Sequence, residues 1–172
     1  MKELILGGVR SGKSTLAEQH ATASGLHVVY VATAKAYDEE MQERITHHQA
    51  RRADHWQLVE AGQDLAAVLQ REAAVGRCVL VDCLTLWLTQ MLCDVDGAKL
   101  QSEVSALLRI LPGLPGQIIL VSNETNMGIT PMGELSRRYC DEAGSLHQQL
   151  GAICERVILT VAGLPLVIKS SM

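Results

Sequence analysis

The sequence predicts a three-layer α/β fold, helices packed on both faces of a mostly parallel sheet, and three observations carry that prediction. Short apolar runs at Leu4-Ile5-Leu6 and at residues 27–32, 78–81 and 118–121 alternate with longer stretches of helical period. Several runs end on polar or glycine-rich residues, where the carboxyl ends of parallel strands face a ligand crevice. The chain then closes on two strand-like runs, 157–161 and 166–168, around Gly163-Leu164-Pro165, which read as an antiparallel edge hairpin. With 172 residues, 48% of them hydrophobic and no linker or internal repeat, one domain over residues 1–172 is expected.

The first element fixes the class. Gly7-Gly8-Val9-Arg10-Ser11-Gly12-Lys13-Ser14 fills every fixed position of the G-x-x-x-x-G-K-[ST] phosphate-binding loop, directly after the strand at Leu4-Ile5-Leu6 and before a helical stretch over 14–23. Glycines let successive backbone N–H groups turn onto phosphate oxygens at the positive end of the helix. Lys13 is placed to reach the outer phosphates, and Ser14 to ligate the Mg2+ that bridges them. Thr15 continues the helix on the nucleotide side. The expected architecture is therefore a P-loop NTPase domain of RecA-like form, its sheet mostly parallel with an antiparallel C-terminal edge.

The second strand, 27–32, ends at Thr33, Ala34 and Lys35, candidates for lining the nucleotide site or an ordinary loop. Residues 38–52 read as a charged helix, with Asp38 as N-cap and Arg51 and Arg52 in the last turn. Its wheel puts Met41, Ile45, His48 and Arg52 on one face and Glu40, Glu43, Arg44, His47 and Arg51 on another. Two readings of His47 stay open on spacing alone: a solvated polar face, or an imidazole meeting an anionic substrate.

A short strand over 56–60 and a helix over 64–74 follow, then the run Cys78-Val79-Leu80-Val81-Asp82. Taken alone, an apolar strand ending on Asp82 fits a cap on a helix over 85–92 as well; beside a phosphate loop the Walker B aspartate on Mg2+ is favoured. A helix over 100–111, a strand over 118–121 ending at Ser122-Asn123-Glu124, a Met-, Gly- and Pro-containing loop over 125–133 and a long helix over 134–153 lead to the hairpin.

Composition excludes several classes. A net charge of −4 with only five aromatic residues (two Trp, three Tyr and no Phe) offers neither a phosphate-tracking basic surface nor base-stacking platforms, so no nucleic-acid partner is expected. The five cysteines are an odd set without a CxxC pair, which suits a reducing cytoplasm. Neither an export signal nor an apolar run long enough to span a bilayer is read, so no integral membrane placement is expected. The histidines lack zinc-ligand spacing with the cysteines.

Taken together, these segments resemble the bifunctional adenosylcobinamide kinase/adenosylcobinamide-phosphate guanylyltransferases of cobalamin biosynthesis. Besides the phosphate loop, the resemblance is carried by Tyr30-Val31-Ala32-Thr33-Ala34, Asp38-Glu39-Glu40-Met41, Arg44-Ile45-Thr46-His47-His48, Arg51-Arg52, and Trp56 with Val59-Glu60. Val81-Asp82-Cys83-Leu84-Thr85-Leu86-Trp87, Val121-Ser122-Asn123-Glu124, Gly128-Ile129 with Pro131, and Val161-Ala162-Gly163-Leu164-Pro165 complete it. The resemblance implies two reactions: phosphorylation of the aminopropanol hydroxyl of adenosylcobinamide by ATP or GTP, then transfer of GMP from GTP to that phosphate with release of pyrophosphate. It implies His47 as the nucleophile carrying GMP, with Lys13 as the second catalytic group. Thr33, Ala34, Lys35, His48, Gln49, Ala50, Arg51, Glu60 and Asp82 join the phosphate loop in the guanine-nucleotide site, and Ser14 and Asp82 take Mg2+. It further implies a cytoplasmic homo-oligomer, a homotrimer. The chain departs from the family pattern at Thr125-Asn126, where Val-Gly is more usual, and at His147, where Asn is usual. A P-loop small-molecule kinase without guanylyl transfer is the alternative; a nucleotide switch is disfavoured by the lack of an Asn-Lys-x-Asp guanine signature.

Overall fold

The computed structural model describes residues 1–33, 55–94 and 98–170. Among the described residues seven strands form one sheet: β1 (Lys2–Gly7), β2 (His27–Ala32), β3 (Gln57–Glu60), β4 (Arg77–Asp82), β5 (Gln117–Asn123), β6 (Arg156–Val161) and β7 (Leu164–Ser170). Their spatial order is β3-β2-β4-β5-β1-β6-β7, with every pairing parallel except β6 with β7. The helices are α1 (Lys13–Ala23), α2 (Leu65–Glu72), α3 (Leu84–Leu92), α4 (Ala98–Ile110) and α5 (Glu134–Ile153), with a 3-10 turn at Leu111–Gly113. The helix expected over 38–52 lies outside the described residues.

Strand alternation divides the core into two. Ile5, Val28, Tyr30, Cys78, Leu80, Ile119 and Val121 face α1, which meets them through the small residues Ala17 and Ala21. Leu4, Leu6, Val29, Val31, Val79, Val81, Ile118 and Leu120 face α2 to α5. The sheet is thus buried on both faces, which is why its central strands read as continuous apolar runs. On α3, Leu84, Trp87, Leu88 and Met91 are buried at helical spacing. Each contributes about 1.5–3 kcal/mol relative to exposure, and Trp87 also donates its indole N–H to Gln63 O at 2.8 Å.

Three local readings are adjusted. The hairpin turn is Ala162-Gly163, at φ 51 and φ 80, so Leu164 and Pro165 belong to β7 rather than to the turn. A two-residue turn with both φ positive matches the twist of its flanking strands. The long helix runs unbroken through Gly144 and Gly151, because its stripe of Ala143, Leu146, His147 and Leu150 is buried. Asp82 ends β4, and Cys83 occupies the N-cap of α3, so Asp82 does not cap that helix.

All five cysteines are free. Burial pushes the Cys78 and Cys83 thiols up to about 11 and the Cys154 thiol to about 12, which keeps them protonated and unreactive near neutral pH.

Candidate functional site

The phosphate loop joins β1 to α1 at the carboxyl edge of the sheet. Arg10 at φ 55 and Gly12 at φ 97 are left-handed, and the loop is braced by Ser11 N–H donating to Gly8 O at 3.2 Å. Alternating handedness of this kind turns backbone N–H groups inward to make an anion-binding hollow. Helix α1 begins without a side-chain cap and without an acidic residue in its first turn. Its first N–H groups therefore stay available to an anion at the positive end of the helix.

Neighbouring strands hold the loop. Glu124 N–H donates to Gly7 O at 3.0 Å, and Gly163 N–H donates to Ser11 O at 2.9 Å. The hairpin thus supports the loop as well as ending the sheet, a role the turn sequence alone does not reveal. A Cβ on Gly7 would stand 2.4 Å from Ser11 Oγ and 2.6 Å from Thr160 O, and the second is paired backbone that cannot move aside. Gly7→Ala is accordingly expected to destabilise the protein by about 1–3 kcal/mol, read as a lower urea midpoint at unchanged slope.

Lys13 is only 9% exposed. Its Nζ donates to Gly8 O at 3.1 Å. Burial pushes its pKa down, offset in part by neighbouring Cys83 and Asp82. Since the Cys83 thiol is neutral near pH 7, the offsetting charge is that of Asp82. Asp82 accepts a hydrogen bond from Tyr30 OH at 3.1 Å on Oδ2. The residue after it is fixed by Thr33, whose hydroxyl donates to Cys83 O at 2.6 Å and accepts from Cys83 N–H at 2.9 Å. Gln90 in turn donates to Thr33 O. Thr33 is buried and braces the turn beyond β4, while Glu60 is exposed at the end of β3.

Gly7, Gly8, Val9, Arg10, Ser11, Gly12, Lys13, Ser14 and Thr15 therefore lie at one sheet edge with Thr33, Glu60 and Asp82. Ala34, Lys35, His47, His48, Gln49, Ala50 and Arg51 lie outside the described residues. Tyr30, Thr85 and Gln90 also support this edge, and nothing local signals it: in sequence Tyr30 is an apolar strand residue, and Thr85 and Gln90 are ordinary helix positions. Thr85 accepts from Asn123 N–H at 2.8 Å. Two buried hydroxyls at the loop, Ser11 Oγ and Thr160 Oγ1, have no hydrogen-bond partner.

Beyond β5 the chain forms two adjoining cavities of about 370 and 380 Å3, both lined by Thr125, Pro131 and Cys140. The first is walled by Leu92, Leu135 and Tyr139. Burial raises the Tyr139 phenol, offset in part by Thr85. Nearby, Ser122, at the end of β5, meets His147 of α5 at 2.8 Å.

A glycine-rich anion hollow at an open helix N-terminus, a buried lysine and a strand-terminal aspartate define a P-loop nucleotide-dependent enzyme. Solved structures of the same fold include the RadB recombinase (TM-score 0.52, 18% identity, 92% of this chain and 73% of that one). The P4 protein of bacteriophage phi6 in complex with ADP is another (TM-score 0.51, 16% identity, 95% and 52%). The model of the family described as cobinamide kinase/cobinamide phosphate guanyltransferase matches residues 3–168, and the chain belongs to that family. Among curated relatives, the bifunctional adenosylcobalamin biosynthesis protein CobP of Pseudomonas aeruginosa is 60% identical over 98% of both chains. CobU of Escherichia coli, named in the same words, is 36% identical over 98% of this chain and 100% of that protein. The chain is thus a bifunctional cobinamide kinase and guanylyltransferase of adenosylcobalamin biosynthesis.

Proposed function

We propose that guanylyl transfer runs through a covalent guanylyl-His47. The carrying observation is the open, acid-free N-terminus of α1 with buried Lys13 beside it, a grip suited to a leaving pyrophosphate as well as to a transferred γ-phosphate. In the first step a neutral His47 nitrogen bonds to the α-phosphorus of GTP. The bond from that phosphorus to the bridging oxygen breaks, and its electron pair leaves with pyrophosphate. In the second, a phosphate oxygen of the phosphorylated cobinamide bonds to the same phosphorus and the P–N bond breaks, restoring His47. Two displacements let the phosphorylated cobinamide meet a guanylyl group that has already shed the highly charged pyrophosphate.

The unpartnered Ser11 and Thr160 hydroxyls support a polar ligand in the loop. Thr33, Ala34, Lys35, His48, Gln49, Ala50, Arg51 and Glu60 complete the guanine-nucleotide site in this reading. Mg2+ fits the donors present: the Ser14 hydroxyl and Asp82, one oxygen of which takes the Tyr30 hydrogen bond. Among the described residues no group of three or more His, Cys, Asp or Glu gathers, as expected for an ion held mainly by phosphates and water. When bound, Mg2+ would neutralise developing phosphate charge. Exposed Leu164, Leu166, Val167 and Ile168 on edge strand β7 support a homo-oligomer, read as a trimer. Free thiols support a cytoplasmic setting.

The test is incubation with GTP labelled at the α-phosphate. An acid-labile label should appear on the protein and move to phosphorylated cobinamide when that acceptor is added. Cobinamide labelled only from the γ-phosphate, with no α-label on protein or product, would leave a kinase alone.

A further inference from the structure

The kinase half of the activity needs a group to take the proton of the acceptor hydroxyl, and Asp82 is committed to the nucleotide side. A second carboxylate stands one strand away. Glu124 follows directly on β5, whose Asn123 pairs with Gly7, and its own N–H donates to Gly7 O at 3.0 Å. It is therefore anchored to the first residue of the phosphate loop. Its side chain is 15% exposed, covered yet reachable. One carboxylate oxygen, Oε1, accepts from Asn126 N–H at 2.6 Å. The next residue, Thr125, lines both cavities beyond β5, so space for an acceptor opens beside it.

The other oxygen faces His147. His147 is 8% exposed; its Nε2 meets Ser122 Oγ at 2.8 Å, and its Nδ1 stands 3.8 Å from Glu124 Oε2 with no hydrogen-bond partner. Burial pushes the imidazole pKa below its usual 6.5, with Glu124 opposing, so the ring is neutral near pH 7 and carries one N–H. In the tautomer that leaves Nε2 to accept from the Ser122 hydroxyl, that N–H sits on Nδ1, on the side of the carboxylate. A buried, unpartnered ring nitrogen 3.8 Å from a carboxylate oxygen is a contact that a small shift in a substrate complex would bring to hydrogen-bond length.

We infer that Glu124 is the general base of the phosphoryl transfer and that His147 is its positioning residue. As the acceptor oxygen bonds to the γ-phosphorus, the bond to the β,γ-bridging oxygen breaks and its electron pair leaves with the nucleoside diphosphate. The hydroxyl proton passes to a Glu124 oxygen. Guanylyl transfer has no such need, because its acceptor is already a phosphate anion. The inference rests on the family's kinase activity being present in this chain.

The experiment measures both rates in one set of variants, with γ-labelled nucleotide and cobinamide for the kinase and with α-labelled GTP and phosphorylated cobinamide for the transfer. Glu124→Gln should lower the kinase-to-transfer ratio by about 10²-fold or more. His147→Leu should lower kinase kcat by about 10-fold with little change in the KM for cobinamide, the scale of losing an orienting partner. His147→Asn should restore it, and His147→Leu should add no loss in the Glu124→Gln background. An unchanged ratio in Glu124→Gln, or full additivity of the two changes, overturns the inference. Absence of phosphorylated cobinamide with the unsubstituted protein overturns the kinase reading instead.

Discussion

Replacing Lys13 by Met is expected to slow both phosphorylation and guanylyl transfer by about 10²–10³-fold, the usual cost of removing one preorganised donor from developing charge. Both reactions should suffer because, in the proposed mechanism, the same ammonium faces the γ-phosphate in one and the departing pyrophosphate in the other. Stability should not suffer with them. Lys13 is 9% exposed and burial opposes its charge, so Met keeps the packed stem while removing a desolvated cation. Below the unperturbed lysine range the buried charge is a cost to folding rather than a gain, since the unfolded chain holds that proton more tightly. The thermal midpoint of Lys13→Met should therefore equal or exceed that of the unsubstituted protein. Steady-state rates for the two half-activities and a melting curve check this together. Loss of one reaction with the other intact would mean that the loop serves only one chemistry.

His47→Asn carries the larger effect on a single reaction. Guanylyl transfer should fall on the order of 10⁶-fold, as when a covalent nucleophile is removed, and α-label should no longer attach to the protein. Phosphorylation of cobinamide should survive, because its phosphoryl group passes directly to a hydroxyl. His48→Asn should keep the label. Label persisting in His47→Asn would point to another nucleophile. Two of the described histidines are poorly placed for that role: His20 Nδ1 is held on Glu3 at 3.0 Å, and His147 is buried against Ser122. His47 itself takes its role from the Thr46-His47-His48 resemblance, on a stretch that a helical wheel had already divided into a polar and an apolar face.

The loop from Gly7 to Ser14 is legible because its hollow is a local feature: glycine spacing, a following helix and one lysine suffice to form it. Asp82 was legible for a related reason, since an apolar strand ending on a carboxylate is read from neighbours in sequence. Thr33 shows where such reading stops. Its place at the end of β2 makes it a candidate for the nucleotide site; that its hydroxyl also engages Cys83, fifty residues on in the chain, follows only from β2 lying beside β4. Gly163 likewise read as a turn glycine, and only the neighbouring of β1 and β6 puts its N–H on Ser11.

Fold class, the phosphate-loop motif, the strand-terminal position of Asp82 and the family are thus readable from the chain alone, because they rest on short-range spacing or on motifs in a fixed order. Which carboxylate meets which partner depends on the folded chain. Strand order β3-β2-β4-β5-β1-β6-β7 sets β5 between β4 and β1, which brings Glu124 to Gly7 across more than a hundred residues. The burial of one face of α5 brings His147 to Ser122 and Glu124. Sheet order and helix packing are settled by apolar burial summed over the whole core, so no local pattern around Glu124 or His147 could have announced their pairing.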